Sequence, residues 1–131
     1  MLRAHTLTLL IERPAREVYR FLTTVEALID WLQLTDVALR PEEDARLVQF
    51  DTAQGPVRID LTAESRQVID YSHWQGGRPV RMGCVRVIEH GEGCVLVHTG
   101  LQQPGVSAEE FVSEQNWVET DLLVLKSLLE R

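Results

Sequence analysis

The feature that most constrains this chain is its last stretch. From Ser107 to Arg131 there is neither proline nor glycine. Ser107 is a suitable N-cap, and Glu109 and Glu110 fall in the first turn, where the helix dipole favours acids. About 25 residues at 1.5 Å each make a helix of roughly 37 Å. A helix of that length needs an equally long surface to lie on.

The preceding residues supply one. His5 to Glu12 alternates as a strand, with Leu7, Leu9 and Ile11 on one side. Arg13-Pro14 ends it, and Pro14 begins a helix striped by Ala15, Val18, Phe21 and Leu22. Thr23 with Glu26 is a capping-box pattern for a second short helix. Val25, Leu28, Ile29 and Leu32 give that helix a buried face, with Trp31 beside them. Short strand patterns follow: Val37–Leu39, a polar turn at Pro41-Glu42-Glu43-Asp44, Leu47–Phe50, a loop at Gln54-Gly55-Pro56, and Val57, Ile59 and Leu61 alternating with Arg58, Asp60 and Thr62. Next come Gln67–Trp74, a break at Gln75-Gly76-Gly77, then Arg81–Ile88 and Cys94–Thr99. Gln102-Gln103-Pro104-Gly105 ends the run. Spacings of about ten residues with turns between them describe an antiparallel meander. The order strand, two helices, strands, long helix indicates α+β. Two short helices and a long one can cover a single sheet face only if the sheet curves around the long one, and a gap between sheet and helix is the place for any function.

Length and charge narrow the classes. At 131 residues the chain suits one domain, 1–131, with no linker and no repeat. A net charge of −7 argues against nucleic acid or an anionic membrane as primary partner, since both are bound by cationic surfaces. No apolar run reaches the ~20 residues of a membrane helix, so no membrane insertion is expected. Met1 to Glu12 lacks the apolar core and cleavage site of a signal peptide, and a cytoplasmic location is expected.

The two cysteines test the hairpin. A turn at His90-Gly91-Glu92-Gly93 sets Glu89 opposite Cys94, Thr99 opposite Cys84 and Val85 opposite His98. Cys84 and Cys94 are then five rungs apart, roughly 17 Å, on opposite faces. A disulfide needs Cα atoms within about 7 Å, so two reduced thiols are expected. No zinc pattern occurs among His5, His73, His90 and His98, and there is no nucleophile elbow, phosphate loop or nucleotide fingerprint. No cofactor is implied.

The opening Ile11-Glu12-Arg13-Pro14-Ala15-Arg16-Glu17-Val18-Tyr19-Arg20-Phe21-Leu22, Trp31 after the second helix, the strand Val95-Leu96-Val97-His98-Thr99-Gly100, and Trp117 with Leu122, Leu125, Lys126 and Glu130 together resemble the START-like (SRPBCC) superfamily. Within it, they are most similar to small bacterial proteins related to the activator of Hsp90 ATPase homologue family. The resemblance runs in order along nearly the whole chain. It implies a helix-grip fold, a curved antiparallel sheet wrapped around the C-terminal helix. It also implies a cavity between the two that holds an apolar ligand.

A helical wheel locates the helix side of that cavity. Phe111, Val118, Leu122, Leu125 and Leu129 form one stripe, and Trp117, Val124 and Leu128 a second beside it, over an arc of roughly 160°. Glu110, Glu114 and Asp121 project between or beside the stripes. Glu114 and Asp121 either face a polar part of the cavity or sit at a wet margin, because an unpaired buried carboxylate is costly. His98 shares a face with Val87, Leu96 and Cys94 and is taken as inward. It can bond a ligand, act as acid or base, or be a satisfied core histidine. Tyr71 and His73 share one face of their strand and Trp74 the other, with the inner face left open. The candidate ligand-binding residues are Trp31, Tyr71, Leu96, His98, Phe111, Glu114, Trp117, Val118 and Asp121.

Three functions follow. The first is a binding module for a small apolar or amphipathic molecule. The second is an enzyme of the polyketide cyclase or aromatase kind, with His98, Tyr71 or Glu114 as acid or base. The third is an Hsp90-activator-like interaction domain with a chaperone partner and no ligand. Exposed sheet edges also admit a homodimer.

Overall fold

In a computed structural model of the chain, residues 1–40, 46–61 and 64–131 are described. The expected polar turn at Pro41–Asp44 and the alternation at Thr62 lie outside them. The elements are β1 (Ala4–Ile11), α1 (Ala15–Leu22), α2 (Val25–Leu32), β2 (Ala38–Leu39), β3 (Leu47–Thr52), β4 (Gly55–Asp60), β5 (Val68–Gln75), β6 (Arg78–His90), β7 (Gly93–Leu101) and α3 (Ala108–Leu129), with a 3-10 turn at Glu64–Arg66.

Alternation along each strand builds one seven-stranded antiparallel sheet in the order β1-β7-β6-β5-β4-β3-β2. The sheet is open and curved, and α1, α2 and α3 lie on its inner face, so the architecture is an α+β helix grip. The β6–β7 hairpin has the expected register: Glu89 faces Cys94, Val85 faces His98 and Cys84 faces Thr99. Gly91 takes φ 59° at the turn, a left-handed conformation that glycine reaches without a Cβ penalty. Cys84 and Cys94 are free, as the register required.

Ser107 caps α3, its hydroxyl oxygen accepting the Glu110 N–H at 3.1 Å. The capping-box reading at Thr23 does not hold. Thr24 is the N-cap of α2 and makes no side-chain cap bond. The Thr23 hydroxyl instead donates back to Tyr19 O, and that of Thr24 to Arg20 O, closing the end of α1. With only a residue or two between the helices, the free carbonyls of α1 are nearer than the amides of α2. Pro56 is likewise not in a loop but in β4, opposite Asp51. Leu32, expected on the buried face of α2, is 36% exposed.

The core lies between the inner sheet face and the helices. Ile11, Val18, Phe50, Val87, Leu96 and Leu125 are each at most 1% exposed. Each such side chain contributes about 1.5–3 kcal/mol on burial. No helix among the described residues is long and apolar enough to cross a membrane.

Candidate functional site

The two halves of α3 meet the sheet differently. The C-terminal half is tied down. Leu122 and Leu125 are buried. Arg13 Nε donates to Leu129 O at 2.6 Å, the Glu12 N–H to Glu130 Oε2 at 2.8 Å, and Lys126 Nζ to Leu10 O at 2.7 Å. Midway, Trp31 Nε1 donates to Asp121 O at 2.7 Å, and Phe21 meets the Trp31 ring edge-on. Trp31 thus pins α2 to α3.

The N-terminal half faces side chains rather than close-packed backbone. The floor there is made by two glycines, Gly83 on β6 and Gly100 on β7, which pair directly. Tyr71, opposite Gly83 on β5, lays its ring across it. A Cβ at Gly83 would fall 2.6 Å from the Tyr71 hydroxyl, and one at Gly100 would fall on the Gln115 amide. The missing side chains are what let a tyrosine and a glutamine lie flat between sheet and helix.

Tyr71 Oη and His98 Nε2 are hydrogen-bonded at 2.6 Å. Tyr71 and His73 therefore occupy the inner face, and Trp74 the outer, where its indole N–H donates to Ser72 Oγ. His98 is 3% exposed, inward as expected. Burial pushes its pKa down to about 4, so the ring is neutral at physiological pH. Burial pushes the Tyr71 phenol well above its ordinary range, against the pull of Arg81. The pair is thus two neutral groups sharing one proton between phenol and imidazole. Beside it, His98 Nδ1 has no partner beyond its own backbone, and Gln115 Oε1 and His73 Nε2 have none among the described residues.

Glu114 and Asp121 are half-buried at the rim. Arg81 Nε lies 3.8 Å from Glu114 Oε1. Burial pushes both carboxyls up and Arg81 pulls both down, with Glu110 adding to the rise at Glu114. Leu96 is fully buried in the floor, Phe111 is buried near the start of α3, and Val118 packs partly buried against the core.

One expected wall residue is misplaced. Trp117 is 66% exposed and points outward, and Val124 of the same stripe is 44% exposed. The apolar arc is wider than the face α3 buries, so Trp117 and Val124 turn to solvent once Leu122 and Leu125 are seated. Conversely, the sequence reading missed Arg81, Gln115, Gly83 and Gly100. Gln115 left a trace: Phe111, Val118, Leu122, Leu125 and Leu129 step by 7, 4, 3 and 4, and Gln115 fills the skipped inward position.

Two of the depressions on the surface lie outside this cluster. One, of about 260 Å³, lies on the outer sheet face among Arg40, Gln49, Arg58 and Trp74. The other, of about 390 Å³, lies at the β1 edge among Thr8, Leu10, Val95 and Lys126.

No family model and no curated protein sequence matches this chain. Solved structures do. The ZhuI aromatase/cyclase from Streptomyces sp. R1128 is 19% identical, with a TM-score of 0.72 over 98% of this chain and 92% of that one. A START superfamily protein from Mycobacterium smegmatis is 11% identical, with a TM-score of 0.72 over 97% of each chain. Norcoclaurine synthase from Thalictrum flavum, solved with dopamine and hydroxybenzaldehyde, is 12% identical, with a TM-score of 0.64 over 99% of this chain and 85% of that one. At these identities the likeness establishes the fold, and the fold is START-like.

Proposed function

We propose that this START-like chain is a binding module whose site lies between the N-terminal half of α3 and the sheet. It takes a small, mostly apolar molecule carrying a polar group. Leu96, Phe111 and Val118, with Trp31 at one side, form the apolar wall; Tyr71, His98 and Gln115 meet the polar group; Arg81, Glu114 and Asp121 line the rim. Trp117 is not part of the wall. The observation that carries this reading is the buried Tyr71–His98 pair, with the unpaired Gln115 Oε1 next to it. A buried polar atom left unpaired costs about 1–3 kcal/mol, and a ligand offering complementary groups would offset that cost.

Native mass spectrometry of protein purified from its own host tests this. A bound adduct, reduced or lost in Tyr71→Phe and Gln115→Leu variants, is expected. Protein recovered free of any adduct, with no binding of an apolar dye that those variants weaken, would defeat the reading.

One observation favours a second, cyclase-like reading. Tyr71 Oη and His98 Nε2 are hydrogen-bonded at 2.6 Å in a buried setting, a pair that in a cyclase-like site would orient a polar hydrogen at a reacting carbonyl. An adduct whose mass changes on incubation with wild-type protein, but not with His98→Asn, would favour it over simple binding. The chaperone-activator reading rests on the sequence resemblance carried by Ile11–Leu22, Trp31, Val95–Gly100 and the closing helix. Stimulation of a purified Hsp90 ATPase by adduct-free protein would put it first. The two free thiols support a reducing, cytoplasmic setting.

A further inference from the structure

β1 forms one edge of the sheet, and the direction of its backbone groups can be read bond by bond. Leu10 C=O accepts from Lys126 Nζ, and the Glu12 N–H donates to Glu130, so the even-numbered residues point away from β7. Arg3 confirms the alternation: its C=O accepts the Gln102 N–H at 2.8 Å and its N–H donates to Gln102 Oε1 at 2.9 Å, both on the β7 side. Thr6 therefore forms a non-hydrogen-bonded pair with Thr99, whose side chains approach closely. Their hydroxyls are indeed 3.0 Å apart.

The open edge is thus presented by Ala4, Thr6, Thr8 and Leu10. Lys126 and Glu130 cover only its Leu10 end. Native sheets guard exposed edges with charge, proline or a covering element. Ala4 to Ile11 holds no proline and no Lys, Arg, Asp or Glu, and no described side chain reaches the edge groups of Ala4, Thr6 or Thr8.

We propose that this half-edge pairs with the same segment of a second copy, antiparallel, about a two-fold axis through Thr6. Ala4 then faces the second copy's Thr8, Thr6 faces its own counterpart, and about six backbone hydrogen bonds join the two sheets into one. The edge is self-complementary. The same register sets Leu2 of the second copy opposite Leu10, on the same sheet face, because directly opposed residues share a face. Leu2 is 53% and Leu10 60% exposed. Leu10 continues across the sheet into Val95 and the exposed Ile88. The depression of about 390 Å³ beside Leu10 and Val95 is where the incoming Leu2 would sit. Each copy thus brings both halves of the contact, as a two-fold interface requires.

Sedimentation equilibrium tests the pairing. The wild type should reach twice its 14.9 kDa mass at micromolar concentration. Thr6→Pro should stay at the single mass with an unchanged far-ultraviolet spectrum, because the Thr6 N–H serves no bond within its own chain. Hydrogen exchange on the wild type gives a second readout that does not depend on the variant folding. The Thr6 and Thr8 amides should slow at high concentration and exchange freely on dilution, while the Leu7 and Leu9 amides stay protected throughout. A wild type of single mass at every concentration, a Thr6→Pro protein that still pairs, or Thr6 and Thr8 amides indifferent to dilution would each overturn the proposal.

Discussion

The two halves of α3 have the same helical backbone and opposite surroundings. From Asp121 onward the helix is held by packing and by bonds to β1 and to the residues after it, with Leu125 fully buried. Before Asp121 its inward residues are Phe111, Glu114, Gln115 and Val118, and the sheet answers with Tyr71, His98, Arg81 and two glycines. One half is chosen for stability, while the other keeps polar groups where apolar ones would pack better. That difference, rather than any single residue, is what the proposed site rests on.

The largest effect should come from the closed half. Leu125→Ala removes a fully buried side chain and should cost about 2–5 kcal/mol in urea denaturation. Trp117→Ala, in the open half but facing solvent, should stay within about 0.5 kcal/mol and leave dye or ligand binding intact. Equal costs for the two would dissolve the contrast.

How far the sequence foretold this contrast depends on what kind of information each feature needs. The β6–β7 register was readable because a glycine turn and strict alternation fix it locally. Inward placement of His98 followed from that register. Trp117 was misread because a wheel reports apolar spacing but not rotation. Rotation is set by Leu122 and Leu125 and by the anchors at Arg13 and Lys126. Gly83 and Gly100 were unreadable as a floor, since their meaning depends on three strands aligning Tyr71, Gly83 and Gly100 in one row beneath Gln115.

Next in size is a pH effect seated in the open half. His98 has an ordinary pKa near 6.5 when unfolded and about 4 when buried. Between those values the unfolded chain binds the extra proton, so stability rises with pH through this window and is lost on acidification. The loss is worth roughly 3 kcal/mol. His73, pushed down by burial and Arg81, adds in the same sense. Glu114 and Asp121, pushed up by burial, act oppositely at the lower end. Urea midpoints across the window should slope for the wild type and flatten for His98→Asn. An unchanged slope would show that the cost lies elsewhere.

Gly83→Ala probes the floor itself. Its Cβ would fall 2.6 Å from the Tyr71 hydroxyl, and the rigid ring must swing aside. The expected cost is about 1–3 kcal/mol. The imidazole resonances of His98 should shift as the 2.6 Å bond breaks. If those resonances stay in place, Tyr71 is not held by the glycine beneath it.

The smallest expected effect falls on the bond that looks strongest. Lys126 Nζ lies 2.7 Å from both Leu10 O and Glu130 Oε2, yet its side chain is 32% exposed. An i,i+4 pair in that setting contributes about 0.3–0.5 kcal/mol, because water competes for both charges. Lys126→Ala should therefore move the urea midpoint little, while Leu125→Ala, one residue earlier, moves it most. The lysine matters for what it covers. Without it the Leu10 carbonyl joins the open edge of β1, so a protein that pairs along that edge should pair more tightly in sedimentation after the change. A Lys126→Ala variant that instead unfolded as readily as Leu125→Ala would mean that polar anchoring, not apolar packing, closes this half of the helix.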